Sequence, residues 1–192
     1  TGVCTLTLDH PGCCALGLFG DGLGTQGLTF DGTTQPGASP NTLPAGQGTN
    51  AQIRIVLKAA SPGIGIDSRI NVTFRGLAFQ LPVTIHPCCS GPTGGGRYEF
   101  FGNFFGLEAD GVTPIPLSNH IGLGISTSFG NIAGARIGSA DPADMNVFAR
   151  WGEGMRLNGS NHRVQGNLIG TDRTGLASAG NLAGIRVCTC SD

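Results

Sequence analysis

The sequence predicts an all-β protein and, within that class, a parallel β-helix, in which short strands wind in stacked coils. Three observations predict it: a phrase that occurs twice, short strand-forming segments that recur along the chain, and Gly, Pro, Asn and Asp between them. Eleven prolines are scattered through the chain, and no stretch keeps apolar residues at helical spacing over three turns. We therefore expect little helix.

The repeated phrase occupies residues 102–111 (GNFFGLEADG) and 166–175 (GNLIGTDRTG). After each copy the chain reaches a second asparagine and a β-rich stretch, at 119–125 and at 181–187. Repeats of this size cannot bury an apolar face alone, so they stack on their neighbours. The two copies are predicted to be one unit of a stack.

Eight segments have the composition of strands, and they share a length of three to five residues. In chain order they are 4–8, 27–30, 53–57, 70–74, 98–101, 122–125, 163–165 and 184–187. Sandwich and barrel strands usually run longer and are joined by hairpin turns, so these short segments with Gly or Asn corners favour parallel coils. Coils of about 20–27 residues predict about seven or eight of them, in a stack roughly 35 Å tall.

The chain of 192 residues is predicted to form one domain, residues 1–192, because nothing in it marks a boundary. Residues 1–26 are a candidate N-terminal arm or capping segment. Residues 187–192 are predicted to be a cysteine-bearing C-terminal tail.

The composition excludes some partners. Charged residues make up 12% of the chain and the net charge is −1, so there is no field to attract nucleic acid or an anionic membrane. No apolar run approaches transmembrane length. Seven cysteines without zinc-finger spacing indicate an oxidising compartment, and the first residue is Thr, as after removal of a secretory signal. We expect a secreted protein, extracellular or on the cell surface, without a cofactor.

Residues 28–37 (LTFDGTTQPG), 70–77 (INVTFRGL) and 161–175 (NHRVQGNLIGTDRTG) resemble a family of bacterial secreted right-handed parallel β-helix proteins. The resemblance covers most of residues 27–187. It implies a right-handed coil and a surface or adhesin-type role with no single defined activity. Family members tend to be long multi-repeat regions, and the cysteine-bearing segments of this chain are not part of the common pattern. We expect its particular function to lie in those segments.

Asparagines at the predicted corners have a structural role. Inward-facing Asn side chains at successive corners stack into a ladder of amide hydrogen bonds, and Asn tolerates left-handed backbone angles. The predicted ladder consists of Asn103, Asn119, Asn167 and Asn181.

No catalytic cluster is recognisable, and we predict that the protein is not an enzyme. Enzymes with this fold that act on acidic polysaccharides need paired carboxylates or calcium-binding aspartates, but most acidic residues here sit beside Gly, where Asp forms turns. Glu108, Asp110 and Asp172 would share a face if the repeats align, which leaves a cation site open. A Cys/His nucleophile lacks an orienting group nearby.

Residues 10–14 (HPGCC) and 86–89 (HPCC) admit two interpretations. His and thiolate ligands suit zinc, whereas an oxidising compartment favours disulfides. We favour disulfides. The candidates for disulfides within or between subunits are all seven cysteines: Cys4, Cys13, Cys14, Cys88, Cys89, Cys188 and Cys190.

The two ends of the predicted stack suggest self-association. Segments 2–8 and 184–190 are strand-forming, and the end coils of a solenoid expose unpaired backbone groups. An odd number of cysteines leaves at least one thiol for another chain. We expect an extracellular structural protein that assembles head-to-tail into a disulfide-stabilised filament, its partner being itself. Two alternatives remain: a monomeric surface adhesion module that binds carbohydrate or protein, and a polysaccharide-active β-helix enzyme.

Overall fold

The computed structural model of the protein confirms the all-β class. It describes residues 2–8, 16–18, 27–59, 63–67, 71–86, 96–125 and 134–188. These residues form seventeen strands and two single-turn 3-10 helices, Gly32–Thr34 and Pro142–Asp144. No helix in the described part of the chain is long and apolar enough to cross a membrane.

The strands form three parallel sheets, and each sheet takes every third strand. Sheet A contains β1 (Cys4–Leu8), β4 (Ile55–Ala59), β7 (Leu77–Phe79), β10 (Phe104–Phe105), β13 (Val147–Phe148) and β16 (Leu168–Ile169). Sheet B contains β2 (Leu16–Leu18), β5 (Ile64–Asp67), β8 (Val83–His86), β11 (Ser118–Ile125), β14 (Trp151–Asn158) and β17 (Ala183–Cys188). Sheet C contains β3 (Gly27–Asp31), β6 (Asn71–Arg75), β9 (Tyr98–Phe101), β12 (Ala135–Ile137) and β15 (Arg163–Val164).

Three successive strands, one from each sheet, make a layer, and layers 1 to 6 follow the chain from β1–β3 to β16–β17. The predicted seven or eight coils were too many, because the described strands give six layers and the sixth has two strands. Layers differ in length: the corner asparagines Asn103 and Asn146 are 43 residues apart, while Asn146 and Asn167 are 21 apart. The chain forms fewer layers than predicted because long loops connect its short strands.

The two copies of the repeated phrase lie two layers apart. Phe104 of the first copy pairs with Val147, and Val147 pairs with Leu168 of the second copy. Layer 5 therefore separates two units that are alike in sequence. Their sequence similarity reflects equivalent positions in two layers, and the strands of the two copies do not pair with each other.

The main core lies between the three sheets and consists of columns of side chains from successive layers. Because paired strands are parallel and in register, like residues lie above one another. Phe79, Phe105 and Phe148 stack with ring centroids 4.7 and 4.4 Å apart. Phe30 stacks on Phe74 in sheet C at 5.0 Å. Such offset stacks add to the burial of apolar area.

The outer face of sheet A is also apolar and carries a second core. Phe104 points into it, whereas its neighbour Phe105 belongs to the main core. Loops cover this face with Ile53, Leu107 and Ala179. Because successive side chains of a strand point to opposite faces of the sheet, the rings of Phe104 and Phe105 lie in different cores.

The segment that joins β3 to β4 reaches across several layers on that outer face. The buried Asn41 side chain donates to the carbonyl oxygen of Pro142 (3.0 Å). The backbone N–H of Thr49 donates to the carbonyl oxygen of Arg173 (2.8 Å). A loop that leaves layer 1 is thereby bonded to a residue that follows layer 4 and to a residue between the two strands of layer 6.

Both chain segments singled out from the sequence contribute strands. Within residues 1–26, β1 and β2 are edge strands of sheets A and B. Within residues 187–192, Val187 and Cys188 are the last residues of β17.

Candidate functional site

An asparagine ladder marks the corner that precedes the strands of sheet A. Asn103 Nδ2 donates to the carbonyl oxygen of Phe74 (2.9 Å) and to Asn146 Oδ1 (3.1 Å). Asn146 Nδ2 donates to the carbonyl oxygen of Phe100 (2.8 Å) and to Asn167 Oδ1 (2.8 Å). Asn103 and Asn146 are fully buried, so these amides satisfy backbone groups that water does not reach.

The structure places the four asparagines of the predicted ladder in different settings. Asn103 and Asn167 lie in one ladder with Asn146 between them. Asn181 occupies another corner, where its Oδ1 accepts from the backbone N–H of Trp151 (2.9 Å). Asn119 is exposed, in a part of β11 where the pairing register shifts.

Sequence reasoning missed Asn146 because no glycine precedes it. A signal for it was present, since Asn103, Asn146 and Asn167 are each followed by two apolar residues. Those apolar pairs are the strands β10, β13 and β16. In layers 4 to 6 this corner therefore carries an asparagine directly before a two-residue strand.

The three carboxylates proposed as a cation cluster serve separate local roles. Asp110 Oδ1 accepts from the backbone N–H groups of Val112 and Thr113 (both 2.8 Å). Partial burial raises the pKa of Asp110, but the hydrogen bonds from Thr113 and Val112 outweigh it, so the pKa lies below its ordinary value. Asp172 closes a similar turn with Thr174, and Glu108 faces Lys58 across 3.6 Å.

Within the described residues no group of three or more His, Cys, Asp or Glu is placed to hold a metal ion. The open possibility of a cation site at Glu108, Asp110 and Asp172 is therefore not realised. Most ligands of the alternative zinc site lie outside the described residues, as does a further candidate thiol: His10, Cys13, Cys14, Cys88, Cys89 and Cys190.

Two candidate thiols are described, and they lie at opposite ends of the stack. Cys4 is the first residue of β1 in layer 1, is exposed and has a free thiol. Cys188 is the last residue of β17 in layer 6, is partly buried and is also free.

Columns that are buried in the middle of the molecule become exposed at its ends. In sheet A, Leu6 pairs with Leu57, and their exposed fractions are 45% and 7%. In sheet B, Leu157 pairs with Val187, and their exposed fractions are 5% and 67%. Each end residue has the position of a core residue, but no described layer covers it.

Most of the exposed large apolar side chains in the described part of the chain belong to these end layers. Six of them lie on or beside the strands of layers 1 and 6: Val3, Leu6, Leu28, Leu182, Ile185 and Val187. The other three, Val112, Leu117 and Leu176, lie on loops. Among the described residues, exposed large apolar side chains are thus concentrated at the two ends.

A cleft of about 410 Å³ opens between β14, β15 and β17. Its apolar lining includes Leu157, Val164, Ile185 and Val187. Among the described strands, β15 is the last of sheet C, and sheet B continues to β17. The cleft lies beside β15, over apolar side chains of β14 and β17.

Charge is segregated along the chain although the total is nearly zero. Residues 1–53 contain three aspartates and no Lys or Arg, while residues 147–188 contain five arginines against Glu153 and Asp172. Glu153 accepts both hydrogen bonds of a fork from Arg156 (2.7 Å each) and faces Arg186 at 3.0 Å. The hydrogen bond from Arg156 lowers the pKa of Glu153 against the opposing effect of burial. Sequence reasoning missed this polarity because only the whole-chain sum was considered.

No model of a known protein family matches the chain, and neither the curated proteins nor the solved structures contain a match.

Proposed function

We propose that the three sheets are the faces of a right-handed parallel β-helix, and that copies of this secreted, non-enzymatic protein assemble head-to-tail into an extracellular filament. The observation that carries the proposal is the exposure of core columns at both ends. Right-handed crossovers between parallel strands are strongly preferred, and the resemblance of residues 27–187 to secreted β-helix proteins points the same way.

A second copy is the occupant that fits both ends at once. Edge strands present unpaired N–H and C=O groups that pair with any strand in register. The first layer of one copy on the last layer of another extends the sheets with all strands still parallel. Because the two surfaces differ, the contact is heterologous and leads to an open filament.

Both described end layers expose apolar side chains, and the sequence stretches that contain them carry opposite charge. Covering a side chain such as Val187 or Leu6 is worth about 1.5–3 kcal/mol. The first layer belongs to an acidic stretch and the last two layers to an arginine-rich one, so their approach is favourable and sensitive to salt. Disulfides that involve Cys4 and Cys188 would lock the junction.

Replacing one apolar side chain at an end and one on a loop tests the proposal. Val187→Asn removes an end contact, whereas Leu176→Asn changes a loop residue that is 91% exposed. We expect Val187→Asn to raise the concentration needed for filaments roughly tenfold or more, since 1.4 kcal/mol corresponds to tenfold, and Leu176→Asn to leave it unchanged. Sedimentation and negative-stain microscopy measure both.

Monomers at every concentration, in oxidising and in reducing buffer, would remove the filament and favour the adhesion module. Release of unsaturated or reducing sugar ends from acidic polysaccharides would favour the enzyme instead.

A further inference from the structure

The corner between β14 of sheet B and β15 of sheet C carries the only Asn-Gly pair in the sequence. The pair consists of Asn158, the last residue of β14, and Gly159. We propose that this corner is a self-modification site, where the backbone nitrogen of Gly159 displaces ammonia from the side chain of Asn158 with the help of His162. The inference concerns a single subunit and does not depend on the proposed assembly.

The first argument is the local backbone. When the nitrogen of the next residue attacks the side chain of an asparagine, a five-membered ring closes between groups that the chain already holds together. Glycine permits this closure best, because it has no side chain to crowd its nitrogen. Gly159 has a φ of +105°, which favours glycine, and it is exposed, so solvent can take up its amide proton.

The second argument is the side chain of Asn158. Its Oδ1 is buried and accepts no hydrogen bond from any described residue. A buried polar atom without a partner is uncommon and calls for a chemical explanation. In the ladder, by contrast, Oδ1 of Asn146 accepts from both the side chain and the backbone of Asn103. The carboxamide of Asn158 has no such restraint at Oδ1, so this atom does not hold it away from the nitrogen of Gly159.

The third argument is His162, whose imidazole contacts the reacting peptide group. Its Nδ1 accepts a hydrogen bond from the backbone N–H of Ala135 (3.2 Å), and its Nε2 lies 3.0 Å from the carbonyl oxygen of Asn158. A carbonyl oxygen only accepts hydrogen bonds, so the ring carries its proton on Nε2. The bond from Ala135 keeps the ring in that tautomer and aims Nε2–H at the oxygen.

The hydrogen bond from His162 promotes the attack. The carbonyl group of Asn158 and the N–H of Gly159 belong to the same peptide group. When that N–H loses its proton, negative charge develops on the carbonyl oxygen, and a donor that already points at the oxygen stabilises the charge. His162 is therefore a catalytic residue of the step.

The chemistry balances with water as the only co-reactant. The nitrogen of Gly159 forms a bond to Cγ of Asn158, the Cγ–Nδ2 bond breaks, and ammonia leaves with the proton that the N–H of Gly159 lost. Water then opens the cyclic imide. Addition at Cγ gives aspartate, and addition at the main-chain carbonyl carbon gives isoaspartate, in which the backbone runs through the side chain. Both products place a new carboxylate where β14 pairs with β17 at Cys188.

Incubation of the purified protein at neutral pH tests the site, with peptide mass spectrometry and enzymatic methylation of isoaspartate as readouts. We expect conversion at Asn158 and none at the exposed Asn119, which is followed by histidine. His162→Phe keeps a ring but cannot donate, so it should slow the conversion roughly tenfold. His162→Gln, whose amide can donate, should restore part of the rate. An Asn158 that remains an amide, or a His162→Phe rate that equals the wild-type rate, would overturn the inference.

Two further measurements separate the contact of His162 from the effect of local sequence. In concentrated urea the contact is lost, so wild type and His162→Phe should convert at the same rate, and a difference that persisted there would overturn the role of His162. A synthetic peptide of residues 156–161 contains the Asn-Gly pair without His162 and needs no folded variant. We expect the folded protein to convert faster than this peptide, and a slower conversion would also overturn that role.

Discussion

The middle of the stack and its two ends are built from the same columns of side chains but differ in what covers them. Phe105 in layer 4 is fully buried between Phe79 and Phe148, whereas Val187 in layer 6 lies over Leu157 and is two-thirds exposed. Both residues are apolar, and both lie over a residue of the main core. In a layered protein, burial is therefore decided by the neighbouring layer and not by local composition.

The largest expected effect comes from a substitution in the middle of the stack. Phe105→Ala removes a ring that stacks at 4.7 and 4.4 Å on its neighbours. We expect the free energy of unfolding to fall by about 3–5 kcal/mol, as for other buried aromatic truncations. Val187→Ala at the end should cost less than about 0.5 kcal/mol in the monomer. Urea unfolding of both variants below the assembly concentration measures the difference, and equal losses would contradict the comparison.

The asparagine ladder offers a second contrast. Asn146→Ala leaves the carbonyl oxygen of Phe100 and the backbone N–H of Asn103 without their side-chain partner in a buried site. A loss of about 1–3 kcal/mol is expected. Asn119→Ala, at an exposed position, should lie within about 0.5 kcal/mol of the wild type. Thermal and urea unfolding compare the two, and a tolerant Asn146 would mean that the ladder is dispensable.

Two glycines of β11 test how tightly the side chains in the middle of the stack are packed. A Cβ atom on Gly122 would lie 2.8 Å from the Trp151 ring and 2.9 Å from the carbonyl oxygen of Gly154, whereas on Gly124 its nearest contacts are at 3.7 Å. Gly122→Ala should therefore cost about 1–3 kcal/mol through overpacking. Gly124→Ala should be nearly neutral, because there is room for the methyl group. Stability measurements that ranked the pair the other way would contradict the packing of Trp151.

The smallest effect concerns the charged end. Since the pKa of Glu153 is lowered in the folded protein, its carboxylate stabilises the fold above the ordinary pKa of Glu, and this contribution is lost as the pH falls through the folded value. Because Arg156 and Arg186 are partly exposed, we expect at most about 1 kcal/mol. The stability difference between wild type and Glu153→Gln, followed from pH 7 to pH 3, should shrink towards zero. A difference that stays constant would show that the charge is irrelevant.

The sequence was sufficient for the class of fold but not for the full set of strands. Strand β5 reads Ile64-Gly65-Ile66-Asp67 and β2 reads Leu16-Gly17-Leu18, and neither was predicted. Such segments are strands because a neighbouring layer pairs with them, so the information lies far away in the chain. Asn146 was missed for a related reason, since its role is defined by Asn103 and Asn167 above and below it.

The sequence predicted some features of the two ends and not others. Strand-forming segments at both ends and the positions of Cys4 and Cys188 were recognised from the sequence. The cleft beside Val164 was not recognised, because it follows from how the strands are arranged in layers, which loops of unequal length conceal.

The loop that joins β3 to β4 has a consequence for how the protein comes apart. In a stack whose layers touch only their neighbours, end layers can peel away one at a time. Here the bonds from Asn41 to Pro142 and from Thr49 to Arg173 tie the opening of late layers to the opening of early ones. These bonds favour unfolding of the layers as one unit, because the early and late layers cannot separate without breaking them.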